Sequence, residues 1–454
     1  MDCRVSEIVE RQRAFFASGA TRPLEFRREA LRKLRRALME RENEIAEALR
    51  KDLHKSPFES YLTETGLVLA EIDLHLRCLK GWMRPRRVAT PFFLQPATSR
   101  TQYEPLGVAL IISPWNYPLQ LTLNPLVGAI SAGCCAVLKP SPSAPHTAAV
   151  MHGMIRELFD ESYIAVVEDA PGVMDQLLDT AFDILFYTGG GEFGRTVMTA
   201  AARNLTPVVL ELGGKSPCIV GAEANLEVAA RRIVWGKLLN AGQTCVAPDY
   251  LLVHESVAEP LLEEMKRAVV RFFGDDPSKS DDYPRMISVR AAERMEQLLG
   301  TASRILWGGE VRSAEKYVAP SFVEAPEESP LWQEEIFGPL LPVRTFVRLE
   351  SAIAFVNDRP KPLALYYFGS RRESRNVLVA TSSGGFCLND TIMHLANNRL
   401  PFGGVGYSGM GRYHGRESFL AFSNCRAVLC NSTRFDLPVR YAPYKGFKWV
   451  KKIF

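Results

Sequence analysis

Three side chains and one glycine turn are of types, and in settings, that could do chemistry. The chain of 454 residues holds nine cysteines: Cys3, Cys78, Cys134, Cys135, Cys218, Cys245, Cys387, Cys425 and Cys430. Cys245 differs by its setting, Leu238-Leu-Asn-Ala-Gly-Gln-Thr-Cys-Val-Ala-Pro-Asp-Tyr250, where a helix-like run delivers it into a short loop. That position after a helix is all that marks it locally, and the other eight read as small apolar residues or surface thiols. Glu211 closes the apolar run Pro207-Val-Val-Leu-Glu211 and precedes two glycines. Desolvation there raises a carboxyl's pKa and suits it to general-base work, whereas a bridge to Lys215 would make it structural. Asn116, in Ile112-Ser-Pro-Trp-Asn-Tyr-Pro118, follows a buried strand. Its amide can donate to an oxyanion or merely cap the next helix. Gly189-x-Gly191-x-x-Gly194 lies between a strand and a helix, the context of a dinucleotide turn, with Glu211 at the spacing of a ribose ligand. A tight glycine turn without a ligand has the same pattern.

Composition narrows the class. Hydrophobic residues make up 47% and charged residues 23%, as in folded water-soluble proteins, and the length favours two or three domains. A net charge of +4 is too small and dispersed for a nucleic-acid partner. The odd, irregularly spaced cysteines include no CxxC and no Cys/His zinc spacing, so neither a disulfide framework nor a metal site is expected. A reducing, cytoplasmic setting fits this usage. The N-terminus is charged from Asp2 and lacks an apolar signal core. Pro105 to Leu138 carries no charge, but four prolines and two asparagines interrupt it, so it reads as buried strand–helix–strand and not a transmembrane segment. The basic, aromatic end KGFKWVKKIF is also too short to span.

These residues need elements to hold them. Residues 26–50 predict one long amphipathic helix through Leu31, Leu34, Leu38, Ile45 and Leu49. Strands at 107–113, 135–139, 182–187 and 207–211 alternate with helices at 119–132, 146–159 and 194–202. This rhythm predicts a mostly parallel sheet covered on both faces. A second α/β block follows, with a helix at 225–240, a strand at 249–254 and a helix to Phe273 capped by Ser256 with Glu259. Strands at 341–346 and 363–369 complete it. Residues 94–104 are polar and extended, as in a projecting arm.

Asn116, Lys139, the glycine turn, Glu211 and Cys245 occur in that order, followed by Glu334-Glu-Ile-Phe-Gly-Pro339 and Leu400-Pro-Phe-Gly-Gly-Val-Gly-Tyr-Ser-Gly409. Together with PWNYP, LKPS, ELGGKSP and GQTCVAPDY, this order resembles the aldehyde dehydrogenase superfamily from about residue 5 to about 425. CVAPDY, Asp358–Tyr366 and Ser408–Gly415 look most like its class 3 branch. The resemblance implies a Rossmann-like cofactor domain (1–87 and 106–210), an oligomerisation arm (88–105), a catalytic domain (211–410) and a C-terminal segment (411–454) in a homodimer. It implies Cys245 as nucleophile, Asn116 as oxyanion donor and Glu211 as the base that activates water. It also implies NAD or NADP held by Ile112, Ser113, Trp115, Lys139, Thr188, Gly189, Gly194, Glu335 and Phe337. Tyr117 and Trp235 would line an aromatic tunnel for medium-chain aliphatic or aromatic aldehydes, with Tyr61 and His414 as further candidates. A plain core position is the competing reading of Trp235.

The sequence departs from the family after Lys139-Pro-Ser141. The family commonly has Glu there, which binds ribose hydroxyls and repels a 2′-phosphate; Pro142 does neither. Weakened discrimination is expected, with NADP accepted beside NAD. Cys134 stands where Asn is frequent and carries no catalytic role. A thiol esterase or an inactive structural relative are the alternatives, and the retention of Cys245, Asn116 and Glu211 together argues against both.

Overall fold

The computed structural model describes residues 4–436, 438–444, 447–448 and 451. Cys3 and much of the basic C-terminal end lie outside these residues. The helical stretch expected over 26–50 is two helices, Leu24–Glu40 and Glu42–Leu53, broken at Arg41. Glu42 and Glu44 sit in the first turn of the second helix, where acidic side chains favour a new N-terminus. Each half buries its own leucines.

Strands β1 (Arg86–Val88) and β2 (Thr98–Pro105) form an antiparallel arm. Strands β3 (Val108–Ile112), β4 (Cys135–Lys139), β5 (Ile164–Val166), β6 (Ile184–Gly189) and β7 (Val208–Leu212) follow and are mutually parallel. The charge-free run supplies β3, the helix Gln120–Ala132 and β4, and both strands and that helix are buried throughout. Gly133 ends the helix at φ 92°.

The next strands are β8 (Pro217–Val220), β9 (Tyr250–His254), β10 (Arg304–Trp307), the short pair β11 (Val311–Arg312) and β12 (Tyr317–Val318), β13 (Ser321–Glu324), β14 (Leu340–Phe346), β15 (Ala364–Phe368) and β16 (Gly385–Leu388). Apart from β11 and β12 they make a seven-stranded sheet in the order β10-β13-β14-β9-β8-β15-β16. The chain then returns. β17 (Gly409–Met410) pairs antiparallel with β7, closing a six-stranded sheet in the order β17-β7-β6-β3-β4-β5. β18 (Ser423–Cys430) pairs along the whole of β2, giving a three-stranded arm sheet β1-β2-β18.

Ser256 does not cap the helix Ala258–Phe273. Val257 is the N-cap, with no side-chain bond, and Ser256 sits in a short turn where its hydroxyl and N–H both meet His254 Nδ1. The imidazole competes for the groups a capping box would use. Among the described residues no helix is long and apolar enough to cross a membrane.

Candidate active site

Cys245 follows a strained turn. The helix Leu226–Leu238 starts at Asn225, whose side chain accepts from Val228 N–H, and runs into Leu239–Gly242. Asn240, Ala241 and Gly242 have φ of 53°, 52° and 76°. Two non-glycine residues in succession in the left-handed region need external support. Glu59 Oε1 accepts the Asn240 N–H at 2.8 Å, and Asn240 Nδ2 donates to the Asn116 carbonyl at 2.8 Å. Gln243 spans outward, donating to Asn240 O and Arg285 O and accepting from Ile287 N–H. A Cβ at position 242 would stand 2.2 Å from the Gly338 carbonyl oxygen, so the close approach of that chain requires glycine.

Asn116 is 3% exposed, and its side-chain amide donates to Gln243 O at 3.0 Å. It does not cap the following helix. Glu64 Oε2 accepts the N–H groups of Leu119 and Gln120 instead, while Glu64 Oε1 binds Lys55 Nζ at 2.7 Å. Lys55 also donates to the Asn116 carbonyl and lies 4.1 Å from the centre of the Tyr117 ring. A buried ion pair thus fixes both the helix start and the asparagine backbone. Removing one partner of such a pair leaves a buried charge at a cost of about 3–5 kcal/mol.

Glu211 does not bridge to Lys215. That lysine binds Asp249 and the carbonyls of Leu331 and Glu334. Both Glu211 carboxyl oxygens are buried without a hydrogen-bond partner. Burial pushes the carboxyl well above its ordinary range, offset only in part by Arg412. The Cys245 thiol is also pushed up, first by burial and then by the Glu335 and Glu211 carboxylates.

Two cavities meet at Cys245. One, of about 110 Å³, has apolar walls that include Tyr117, Leu121, Trp235, Leu239, Ile392, Leu395 and Phe402. Trp235 therefore faces a cavity. His414 is also in this wall, 5% exposed, and neither of its ring nitrogens has a hydrogen-bond partner. Tyr61 is 47% exposed and is not a wall residue. The other cavity, of about 240 Å³, is lined by Trp115, Asn116, Thr188, Gly189, Glu211, Glu335 and Phe337 as well as Cys245.

The expected cofactor residues divide accordingly. Trp115 and Phe337 meet edge to face, ring centres 5.5 Å apart, in the second cavity. Glu335 folds over the chain at Gly213, where a Cβ would lie 1.9 Å from Oε2; burial and Asp249 push its carboxyl up to about 8. Gly194 supports from behind, because a Cβ there would be 2.6 Å from Leu212 Cδ2 and would lift the helix Gly191–Arg203 off β7. Ile112 and Ser113 lie outside the cavity wall, with the Ser113 hydroxyl on Thr122. Lys139 ends β4, its Nζ bound to Asp169 Oδ1 at 2.8 Å.

Sequence reasoning missed Lys55, Glu59, Glu64, Asn240 and Lys237. Lys237 lies in the helix before Cys245, its Nζ buried without a partner, and burial pushes the amine down to about 8. Its place in an amphipathic helix gives no hint that it is interior. Asn240 is two residues before the Gly242-Gln-Thr lead-in and was the one legible from its position.

Two α/β sheets thus bring a thiol and a buried, unpaired carboxylate to the point where two cavities meet. The chain belongs to the aldehyde dehydrogenase family, whose sequence profile matches residues 3–428. It is 46% identical over 440 residues to aldehyde dehydrogenase family 3 member B1 of Rattus norvegicus, covering 96% of this chain and 94% of that one. It is 43% identical over 444 residues to the dimeric NADP-preferring aldehyde dehydrogenase of Canis lupus familiaris, covering 97% and 98%. The substrate-bound structure of Staphylococcus aureus AldH matches with a TM-score of 0.97 at 44% identity, over 99% of each chain. The protein is an aldehyde dehydrogenase similar to members of family 3.

Proposed function

We propose that this enzyme oxidises medium-chain aliphatic or aromatic aldehydes to carboxylic acids with NAD or NADP, through a covalent Cys245 intermediate. One observation carries the reading: Cys245 is in the wall of both cavities. The apolar cavity suits the aldehyde's hydrocarbon part, and its aromatic walls argue against small charged aldehydes. The second cavity, which sets Asn116, Thr188, Glu211 and Glu335 among apolar walls, suits a nicotinamide ribose. The Thr188 hydroxyl is buried without a partner, and Glu335 offers a carboxylate at a glycine-backed wall.

In this reading the Cys245 thiol loses its proton to solvent, its sulfur attacks the aldehyde carbon, and the carbonyl oxygen becomes an alkoxide. The Asn116 amide and the Cys245 N–H donate to that oxygen. The amide exchanges its bond to Gln243 O for one to the alkoxide. NAD or NADP, when held by Glu335 and Lys139, would supply the hydride acceptor that lets the carbonyl re-form as a thioester on Cys245. Glu211, with both oxygens unpaired, takes a proton from water, which attacks the thioester and releases the acid and the thiol. Glu335 and Lys139 bind ribose hydroxyls, and Trp115 and Phe337 shape the cavity around the ring. The canine relative is named as dimeric. We read this chain as a homodimer too, joined through the arm sheet.

An aldehyde panel with NAD and NADP, followed at 340 nm, tests the proposal. Reduced cofactor is expected with octanal- and benzaldehyde-type substrates, with kcat/KM for the two cofactors within about a hundredfold, or about 2.7 kcal/mol. Cys245→Ser should lose at least a thousandfold. Ester cleavage without reduced cofactor, or near-full activity of Cys245→Ser, contradicts it.

A further inference from the structure

The cofactor turn lacks an acid beside Lys139: Ser141 and Pro142 follow Pro140, and neither carries a charge. The fold supplies one from elsewhere. β4 and β5 are parallel neighbours, with Leu138 opposite Val166, so the chain leaving each strand emerges side by side. Lys139 ends β4 and is 1% exposed along its side chain, while Asp169 follows β5 and is 55% exposed. Lys139 Nζ donates to Asp169 Oδ1 at 2.8 Å and to the Pro140 carbonyl at 3.2 Å. The adjacent Glu168 is engaged elsewhere, with His152 at 3.1 Å. Asp169 is the one carboxylate bonded to Lys139 among the described residues.

The two partners pull cofactor choice in opposite directions. In a doubly wound sheet, ligands sit beyond the carboxyl ends of the strands, where an acid binds the ribose 2′-hydroxyl and a nearby cation accommodates a 2′-phosphate. An unpaired Lys139 would attract the phosphate. Asp169 cancels that charge, so the pair no longer draws in the phosphate, and it retains a second oxygen to accept a ribose hydroxyl.

We propose that Asp169, reached from the loop after β5, is the acid that sets the balance between NAD and NADP. This rests on reading the β3–β7 sheet as a dinucleotide site. Its side-chain exposure keeps the effect moderate, because solvent screens the charge.

The test is equilibrium binding of NAD and of NADP to the apoenzyme, by tryptophan quenching or calorimetry, for the wild type, Asp169→Asn and Asp169→Glu. Asp169→Asn should shift the ratio of dissociation constants toward NADP by about tenfold or more, and the gain should shrink as salt is raised. Asp169→Glu, which keeps the charge, should keep the wild-type preference within about threefold. Thermal unfolding of the variants reports whether both remain folded, and the Asp169→Glu measurement stands if Asp169→Asn does not. A ratio unchanged in Asp169→Asn, or shifted equally in Asp169→Glu, overturns the proposal while leaving the dinucleotide site intact. Failure of wild-type protein to bind either dinucleotide overturns the underlying reading as well.

Discussion

Burial and two buried carboxylates, Glu335 and Glu211, act together on the Cys245 thiol. All three effects disfavour the thiolate, so the resting thiol keeps its proton at neutral pH. For an acid whose pKa is raised, the reactive anion appears only at higher pH. Alkylation of Cys245 by iodoacetamide, followed by mass spectrometry, should therefore rise through a midpoint above the free-cysteine value of about 8.5. Glu335→Gln should move that midpoint down. A wild-type midpoint at or below the free value, unmoved in Glu335→Gln, would contradict this electrostatic account. At this scale Cys245, Glu211 and Asn116 were singled out by their order along the chain and the resemblance that order carries, not by any one local run. What could not be read was which alternative held. Asn116 is freed from capping by Glu64, and Glu211 is left unpaired because Lys215 goes to Asp249, contacts made across 55 and 34 residues of sequence. The interior ionisable side chains Lys55, Glu59 and Lys237 gave no signal, since burial is decided by packing between elements.

The parallel strands and their helices were legible as elements because period and punctuation agree with packing: apolar runs made strands, and Gly133 ended its helix. Errors occurred where a tertiary contact overrode a local rule. The break at Arg41 and the displaced cap at Ser256 are of this kind. So is β17, a two-residue strand hidden in a glycine-rich loop, which brings Gly409 opposite Glu211. The arm shows how an element bears on assembly. β18 pairs with β2 along eight residues on one side and is the outer strand of its sheet, mostly exposed. An outer strand of this length is a template for pairing with another chain. Sedimentation at micromolar concentration should therefore give twice the 50.7 kDa chain mass. A monomer throughout that range would refute the homodimer reading.

The whole molecule brings three segments to one point. The strand–turn of Ile112–Pro118, the strand end at Glu211 and the loop at Cys245 come from different stretches and converge where two cavities meet. Sequence order alone pointed to these residues, but only the fold puts the thiol in the wall of two cavities, one of which also holds both buried carboxyls. The division of labour is the central claim: Cys245 forms the acyl-enzyme, and Glu211 is needed to hydrolyse it. Intact-mass spectrometry of Glu211→Gln, mixed with an aldehyde and oxidised cofactor, tests it most directly. The account predicts one acyl group per chain, mapped to Cys245, with one equivalent of reduced cofactor formed rapidly and turnover slowed at least a hundredfold. Near-wild-type turnover by Glu211→Gln, or an acyl group on any residue other than Cys245, would contradict it.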